Sequence, residues 1–473
     1  MRIVITALVA AGLAALTAVS VTALPFYNAK SGHLEPLVPL TIGAWVLFAA
    51  AVFALRGVRS TRAVVVLVLA GSVAIGAAAM AGPPNTSTDS ARYAWDGMVQ
   101  DAGISPYDYA PADPALEQLR PEWLFPTPAV DADGQQYCPG IRIIKGENAD
   151  GSVFCTALNR PAVTTIYPPA SELFFAAVRG LAGGGPQYWP MQLACLLLSI
   201  AVTGLLLRAL TRRGRDPRWA ALWGWCPLVA TEGITNSHID MLGALLLLVA
   251  TLLASTRRPW LAGIALGAAI SSKLIPVIGS FALLRRNPVK VIVGAVAVFA
   301  LLYVPYVLAS GVAVLGYLPG YLSEEGYGSG ERFVLLSPIL PGVAALAVAG
   351  LLVAVLALYT WLKSNPDDPW LAQLVMIGGT LLIVSPRYPW YALLLVPMIA
   401  MTGRWEWMAV PLALTVRLLF PGVEGSRVAV ALAIVVVVAA ALRRSGPGAV
   451  GRAWQELRHP FNRWKPAANI TER

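Results

Sequence analysis

Two carboxylates, a guanidinium and two aromatic rings fall within one short stretch, Asp89-Ser90-Ala91-Arg92-Tyr93-Ala94-Trp95-Asp96-Gly97. Such a set can take a proton, hold an anion and stack on a ring. The spacing of Asp89 and Asp96 puts both acids on one face of a short helix, two turns apart. One carboxylate within hydrogen-bond reach can deprotonate an attacking hydroxyl, while the second orients the substrate. The competing reading for Asp89 is an N-cap, because it follows Thr86-Ser87-Thr88 and precedes a helix.

Other ionisable groups sit far along the chain. His238 and Asp240 lie in the polar hinge Thr235-Asn236-Ser237-His238-Ile239-Asp240. No cysteine, further histidine or dense acidic group accompanies them, so a closed zinc site is not expected, and a contact to sugar or phosphate fits better. Helix capping by Asn236 or Ser237, with His238 a bystander, is the alternative. Lys273 and Arg387 suit a phosphate, one as a point charge and the other as a planar fork. Both could instead snorkel to lipid headgroups. Tyr107, Tyr109, Trp123 and Tyr137 could stack on sugar rings or form an interfacial belt. Glu324 and Glu325 read as a solvated loop face. No Walker loop, no GxGxxG in a βαβ setting and no HExxH occurs, which argues against nucleotide-dependent chemistry.

The elements that must position these groups are apolar. Hydrophobic residues make up 57% of the chain and charged residues only 13%, and apolar runs of span length recur from end to end. This is the pattern of an all-α polytopic membrane protein, not of a barrel, whose strands alternate. The net charge of +10 follows from arginines flanking helix ends, as cytoplasmic loops require, so no nucleic-acid partner is expected; the partners include membrane lipids. The apolar run from Met1 to about Leu24 reads as an uncleaved first helix.

Arginine counting predicts about fourteen transmembrane helices with both termini cytoplasmic. Residues 1–81 form three N-terminal helices. Residues 82–187 form a large extracytoplasmic loop, ordered as a small cap, ending in an interfacial helix at 168–182 that begins after Tyr167. Residues 188–442 form a helix bundle, and 443–473 a basic cytoplasmic tail. Short broken helices meet at the hinges 235–240, 271–273 and 385–391, where polar backbone must face protein or a cavity. The same alternation puts Asp89, Arg92, Asp96, Tyr167, His238, Asp240, Lys273 and Arg387 on the outer side. Cys138 and Cys155, both in the loop, form a plausible disulfide there, whereas Cys195 and Cys226 lie in apolar runs.

The order of these stretches resembles the GT-C superfamily of membrane glycosyltransferases, and most of all the polyprenyl-phosphate-mannose-dependent actinobacterial enzymes of the glycosyltransferase family 87 type. The resemblance rests on Asp89-x-x-Arg92-Tyr93-x-Trp95-Asp96-Gly97, Gly103-Ile104-Ser105-Pro106-Tyr107 and Tyr167-Pro168-Pro169. Asn236-Ser237-His238-Ile239-Asp240, Lys273-Leu274-Ile275-Pro276 and Ser385-Pro386-Arg387-Tyr388-Pro389-Trp390-Tyr391 complete it. Here the acidic loop follows the third helix rather than the first. The resemblance implies an inverting transfer of a sugar, mannose by expectation, from a polyprenyl-phosphate donor to a hydroxyl of a glycolipid or glycan acceptor of the cell envelope. In that scheme Asp89 or Asp96 is the base, and Arg92, Tyr93, Trp95, Tyr167, His238, Asp240, Lys273 and Arg387 contact substrate. No cofactor is called for, since the lipid-linked sugar is a substrate, and dependence on a divalent metal stays open. The rival reading is a transporter or flippase of lipid-linked sugars, because broken helices also describe transporters. A transporter should show paired halves, and no convincing repeat of the Asp89 stretch is present.

Overall fold

The computed structural model describes residues 1–26, 36–140, 142–148, 151–183, 185, 187–420 and 422–445. Three apolar helices lead: α1 (Arg2–Ala23), α2 (Leu37–Leu55) and α3 (Thr61–Ala79), with α1 packed on both others. The side chain of Ser60 accepts the Ala63 N–H and so caps α3. Past α3 come Pro83 and Pro84, which have no N–H to continue a helix. Polar residues follow and form α4 (Asp89–Asp101), with Asp89 at the positive end of the helix dipole.

The segment after α4 is a small folded cap. Strands β1 (Ala129–Val130) and β2 (Gln136–Tyr137) form one antiparallel hairpin, and β3 (Ile144–Glu147) and β4 (Val153–Thr156) a second. A Cys138–Cys155 disulfide ties the end of the first hairpin to β4. Leu116, Leu124, Phe125, Phe154 and Leu158 of the cap pack with Ala91, Trp95 and Val99 of α4 into a core of their own.

Next, α5 (Pro169–Ala182) starts with proline at its first position, where the missing N–H costs nothing. It crosses α4 so closely that a Cβ on Gly97 would meet the Phe175 carbonyl oxygen at 2.6 Å. Then α6 (Trp189–Arg212) runs back alongside α3. The main apolar core joins α1–α3 and α6 to the helices at 240–255, 259–272, 370–384 and 396–402. Helices 259–272 and 288–310 touch through small residues: a Cβ on Gly263 would lie 2.5 Å from the Val291 oxygen.

Among the described residues, seven helices are long and apolar enough to cross a membrane: α1, α2, α3, α6, Pro288–Leu315, Val343–Lys363 and Val423–Ser445. An eighth arises if Val229–Thr235 and Asp240–Ser255, bent by 111° at their junction, count as one span. This falls short of about fourteen. Part of the difference lies in apolar helices of fewer than eighteen residues, Pro259–Ser272, Trp370–Val384 and Pro389–Thr402, whose runs count as crossings by hydropathy but fall short of span length. The predicted helix at 168–182 appears as α5 and is not among the seven. The tail beyond Ser445, with Arg452, Arg458, Arg463 and Lys465, lies outside the described residues.

The arginine-rich ends gather at one end of the bundle. Arg218 donates to the carbonyls of Leu55 and Val58, Arg215 pairs with Asp368, and Arg444 pairs with Glu406. Since α3 starts near this end and runs away from it, its C-terminal end and the 82–89 connection lie at the other.

Candidate functional site

The bent span at residues 236–239 is the centre of the site. Val229–Thr235 forms a π-helical stretch, a local widening frequent at functional positions. Ser237 then takes φ 56°, in the left-handed region where residues other than glycine are uncommon. The next helix restarts at Asp240. The bend leaves Asn236, His238 and Asp240 buried inside the protein rather than in lipid.

Asn236 carries out a specific positioning task. Its Oδ1 accepts the backbone N–H groups of Asn85, Thr86 and Ser87 at 3.1, 3.1 and 3.3 Å. Its Nδ2 donates to Thr86 Oγ1 and Glu232 Oε2. The connection between α3 and α4 is therefore pinned to the hinge. Gln192 adds to this by donating to the carbonyls of Gly82 and Thr235, and Thr235 donates to the carbonyl of Ala79. Asp89, just past the pinned segment, is thereby set beside His238. In the structure Asn236 caps no helix; it caps a loop about 150 residues earlier.

Asp89 Oδ1 accepts from Asn159 Nδ2 at 2.7 Å, and Oδ2 lies 3.5 Å from the Tyr167 hydroxyl and 3.7 Å from His238 Nε2. Its side chain is 18% exposed, whereas that of His238 is fully buried. The histidine is aimed by its other nitrogen, since Nδ1 lies 2.8 Å from the Glu232 carbonyl oxygen. That contact requires a proton on Nδ1, so in the neutral ring Nε2 holds a lone pair and points at the carboxylate. Nε2 has no hydrogen-bond partner among the described residues. The imidazole also stacks on Trp390 at 3.8 Å, and Trp390 on Tyr388 at 4.3 Å.

Beside this pair, Lys273 Nζ binds Asp240 Oδ2 at 2.6 Å and sits 4.7 Å from the centre of the Tyr391 ring. The Tyr391 hydroxyl meets that of Tyr321 at 2.7 Å. Arg160 lies over the Tyr321 ring and pairs with Glu324 at 2.7 Å. The Lys273 side chain retains 19% exposure, so its ammonium is not sealed in.

The remaining candidates separate from this cluster. Asp96 is buried, and both its oxygens accept from Arg92 Nε, at 2.8 and 3.0 Å, one helical turn away. Arg92 also donates to the Val163 carbonyl. The pair thus fastens α4 to the 163–165 segment and offers neither charge to a ligand. Burial raises the Asp96 carboxyl above the usual range, against the lowering effect of Arg92. Burial, and then Asp96, raises that of neighbouring Glu172 well above its usual range. Glu172 accepts from Thr165 and Gln100. Trp95 is 1% exposed inside the cap core against Phe125, with no ring face free for a substrate. Tyr93 is buried between Tyr167 and Phe175, and Tyr167 lies one contact from Asp89. Burial, and next the Asp89 charge, raises the Tyr167 hydroxyl well above its usual value, so it stays a donor. Arg387 is exposed at the edge. Glu325 is not a solvated loop residue; it is buried against Arg332.

Sequence reasoning passed over Glu232, Asn159 and Asn236 as parts of the site. Glu232 is a lone acid in an otherwise apolar run, and that was the available signal. The described residues contain no cluster of three or more metal-ligating side chains.

No curated protein and no solved structure matches the chain. Residues 165–386 match the family model Glycosyltransferase family 87. That stretch holds Tyr167, Glu232, Asn236, His238, Asp240 and Lys273, while the acid facing them is supplied from outside it by α4. The match covers just under half of the chain and supports a GT-C-type, glycosyltransferase family 87-like membrane protein.

Proposed function

We propose that the protein transfers a sugar, mannose in the first instance, from a polyprenyl-phosphate donor to a hydroxyl of a cell-envelope glycolipid or glycan, on the extracytoplasmic face. The observation that carries the reading is the Asp89 carboxylate facing the unpartnered Nε2 of His238, with Lys273 and Asp240 alongside. The site also lies at the opposite end of the bundle from the arginine-rich ends, which suits an outer-face location under the positive-inside rule.

The acceptor oxygen attacks the anomeric carbon as the bond from that carbon to the phosphate oxygen breaks, which inverts the centre. The bonding pair leaves with the polyprenyl phosphate. A phosphate monoester is a good leaving group, so no acid is needed opposite the base. The acceptor proton passes to Asp89, where His238 Nε2 stands ready to share it. Glu232 and Trp390 hold the imidazole in the orientation this requires. Lys273 meets the charge growing on the phosphate, its own position held by Asp240 and Tyr391. Arg387, at the edge, is placed to meet the lipid phosphate on its way in. The carboxylate also favours the oxocarbenium-like transition state by charge. The donor is itself a substrate, and the scheme uses no cofactor.

The test is purified protein in lipid with polyprenyl-phosphate-mannose and an envelope glycolipid fraction. The reading expects a new glycosidic bond of inverted configuration. Movement of the intact donor across the bilayer with no new bond would instead support the flippase reading.

A further inference from the structure

A cavity of about 380 Å³ lies on the other side of the α4 N-terminus, between Thr88, Ser90 and the cap. That size is typical of small-ligand clefts, which run from about 300 to 1,000 Å³. We propose that it is an acceptor subsite for a neutral pyranose ring, next to the ring whose hydroxyl reaches Asp89. The inference rests on Asp89 being the base and adds where the rest of the acceptor lies.

One wall is aromatic. Trp123 meets Tyr188 edge to face at 5.2 Å, and Tyr188 meets Phe26 in the same way at 5.5 Å. Sugar rings present apolar C–H faces of the kind such walls accept, and polar edges that need partners. The partners are present and unmatched. Ser90 Oγ, Trp123 Nε1 and Arg142 Nε are all shielded from water and have no hydrogen-bond partner among the described residues. Ser90 is 1% exposed. Buried donors left in this state are unusual unless a ligand or ordered water serves them.

The charges in the wall favour a neutral ligand. Among the described residues that line it, the one acid, Glu122, accepts from the Thr127 N–H and hydroxyl. The one cation among those described residues, Arg142, donates from Nη1 to the carbonyls of Ser87 and Asn85. The two are of opposite sign, and Nη1 of the guanidinium is already committed to backbone carbonyls. An acyl chain would leave three buried polar groups unserved. Arg142 also grips the segment that Asn236 holds from behind. Filling the cavity and positioning Asp89 therefore share one backbone segment.

The test is saturation-transfer NMR with mannobiose on the full chain in lipid nanodiscs. It needs no turnover, so it reads binding even if the proposed transfer fails. Saturable binding is expected in wild type and in Asp89→Asn. Trp123→Ala should weaken it about tenfold, and Ser90→Ala, which leaves the fold intact, by a smaller measurable factor. Absence of saturable binding in wild type overturns the proposal. So does binding unchanged in both wall variants, or binding displaced by an alkyl chain bearing no sugar.

Discussion

Removing the Asn236 side chain should dissociate positioning from chemistry, since Asn236 touches no proposed substrate atom. Asn236→Ala strips the acceptor from three backbone N–H groups, of Asn85, Thr86 and Ser87, two of them in buried residues. One unsatisfied buried donor costs about 1–3 kcal/mol. The three share a single oxygen, so the total should be near about 3 kcal/mol rather than three separate penalties. The segment then loosens, and Asp89 drifts from His238. A misplacement of about 1 Å can cost about 100-fold in rate. The assays are thermal denaturation in nanodiscs, hydrogen exchange at residues 85–87, and turnover with saturating donor. Faster exchange confined to that segment, with kcat falling more than KM changes, is expected. Asn236→Asp keeps the acceptor but sets a second carboxylate against Glu232, so it should recover only part of the loss. Unchanged exchange at 85–87 together with wild-type kcat would refute the positioning argument.

Other consequences can be measured separately. Asp96→Asn leaves the Arg92 charge buried and unpaired, and loss of one partner of such a pair costs about 3–5 kcal/mol. The double change Arg92→Met with Asp96→Leu should be the more stable, with turnover per folded molecule near wild type; a large loss of kcat in the stable double variant would restore Asp96 as a candidate base. The raised Glu172 carboxyl contributes stability that is full below its unfolded value and is lost as pH rises through its folded value. Melting temperature should therefore fall as pH climbs above the ordinary carboxylate range, and Glu172→Gln should flatten that fall. A wild-type curve with the opposite slope contradicts the burial argument. Opening the Cys138–Cys155 bond frees a loop whose ends are 17 positions apart, worth about 3 kcal/mol in the chain-entropy view. Limited proteolysis should then cut the cap before the helices, and simultaneous cutting of both would contradict its separate core.

What was readable beforehand follows physical range. Span-length apolar runs, the helix after Tyr167, the polar break at 235–240 and the pairing of Cys138 with Cys155 are written in local composition. So was the gathering of Asp89, His238, Asp240 and Lys273 at one end, through the bias of arginine placement. The partition between Asp89 and Asp96 was not readable, because helical spacing places both on one face and cannot show that Arg92 closes over one of them. Trp95 looked like a stacking ring for the same reason: only the cap fold reveals its core. The Asn236 clamp joins residues about 150 apart in sequence, and no local pattern encodes it. The count of about fourteen spans is not matched by helices of span length among the described residues, because hydropathy alone does not separate a short buried helix from a crossing.

The most direct measurement is the single-turnover rate of sugar transfer in Asp89→Asn against wild type, at equal donor occupancy. The amide keeps the size and the hydrogen bond from Asn159 but cannot take the acceptor proton. The account predicts a rate lower by about 100-fold or more, with donor binding preserved through Lys273. Transfer within a few-fold of wild type, with the same inverted product, would contradict it.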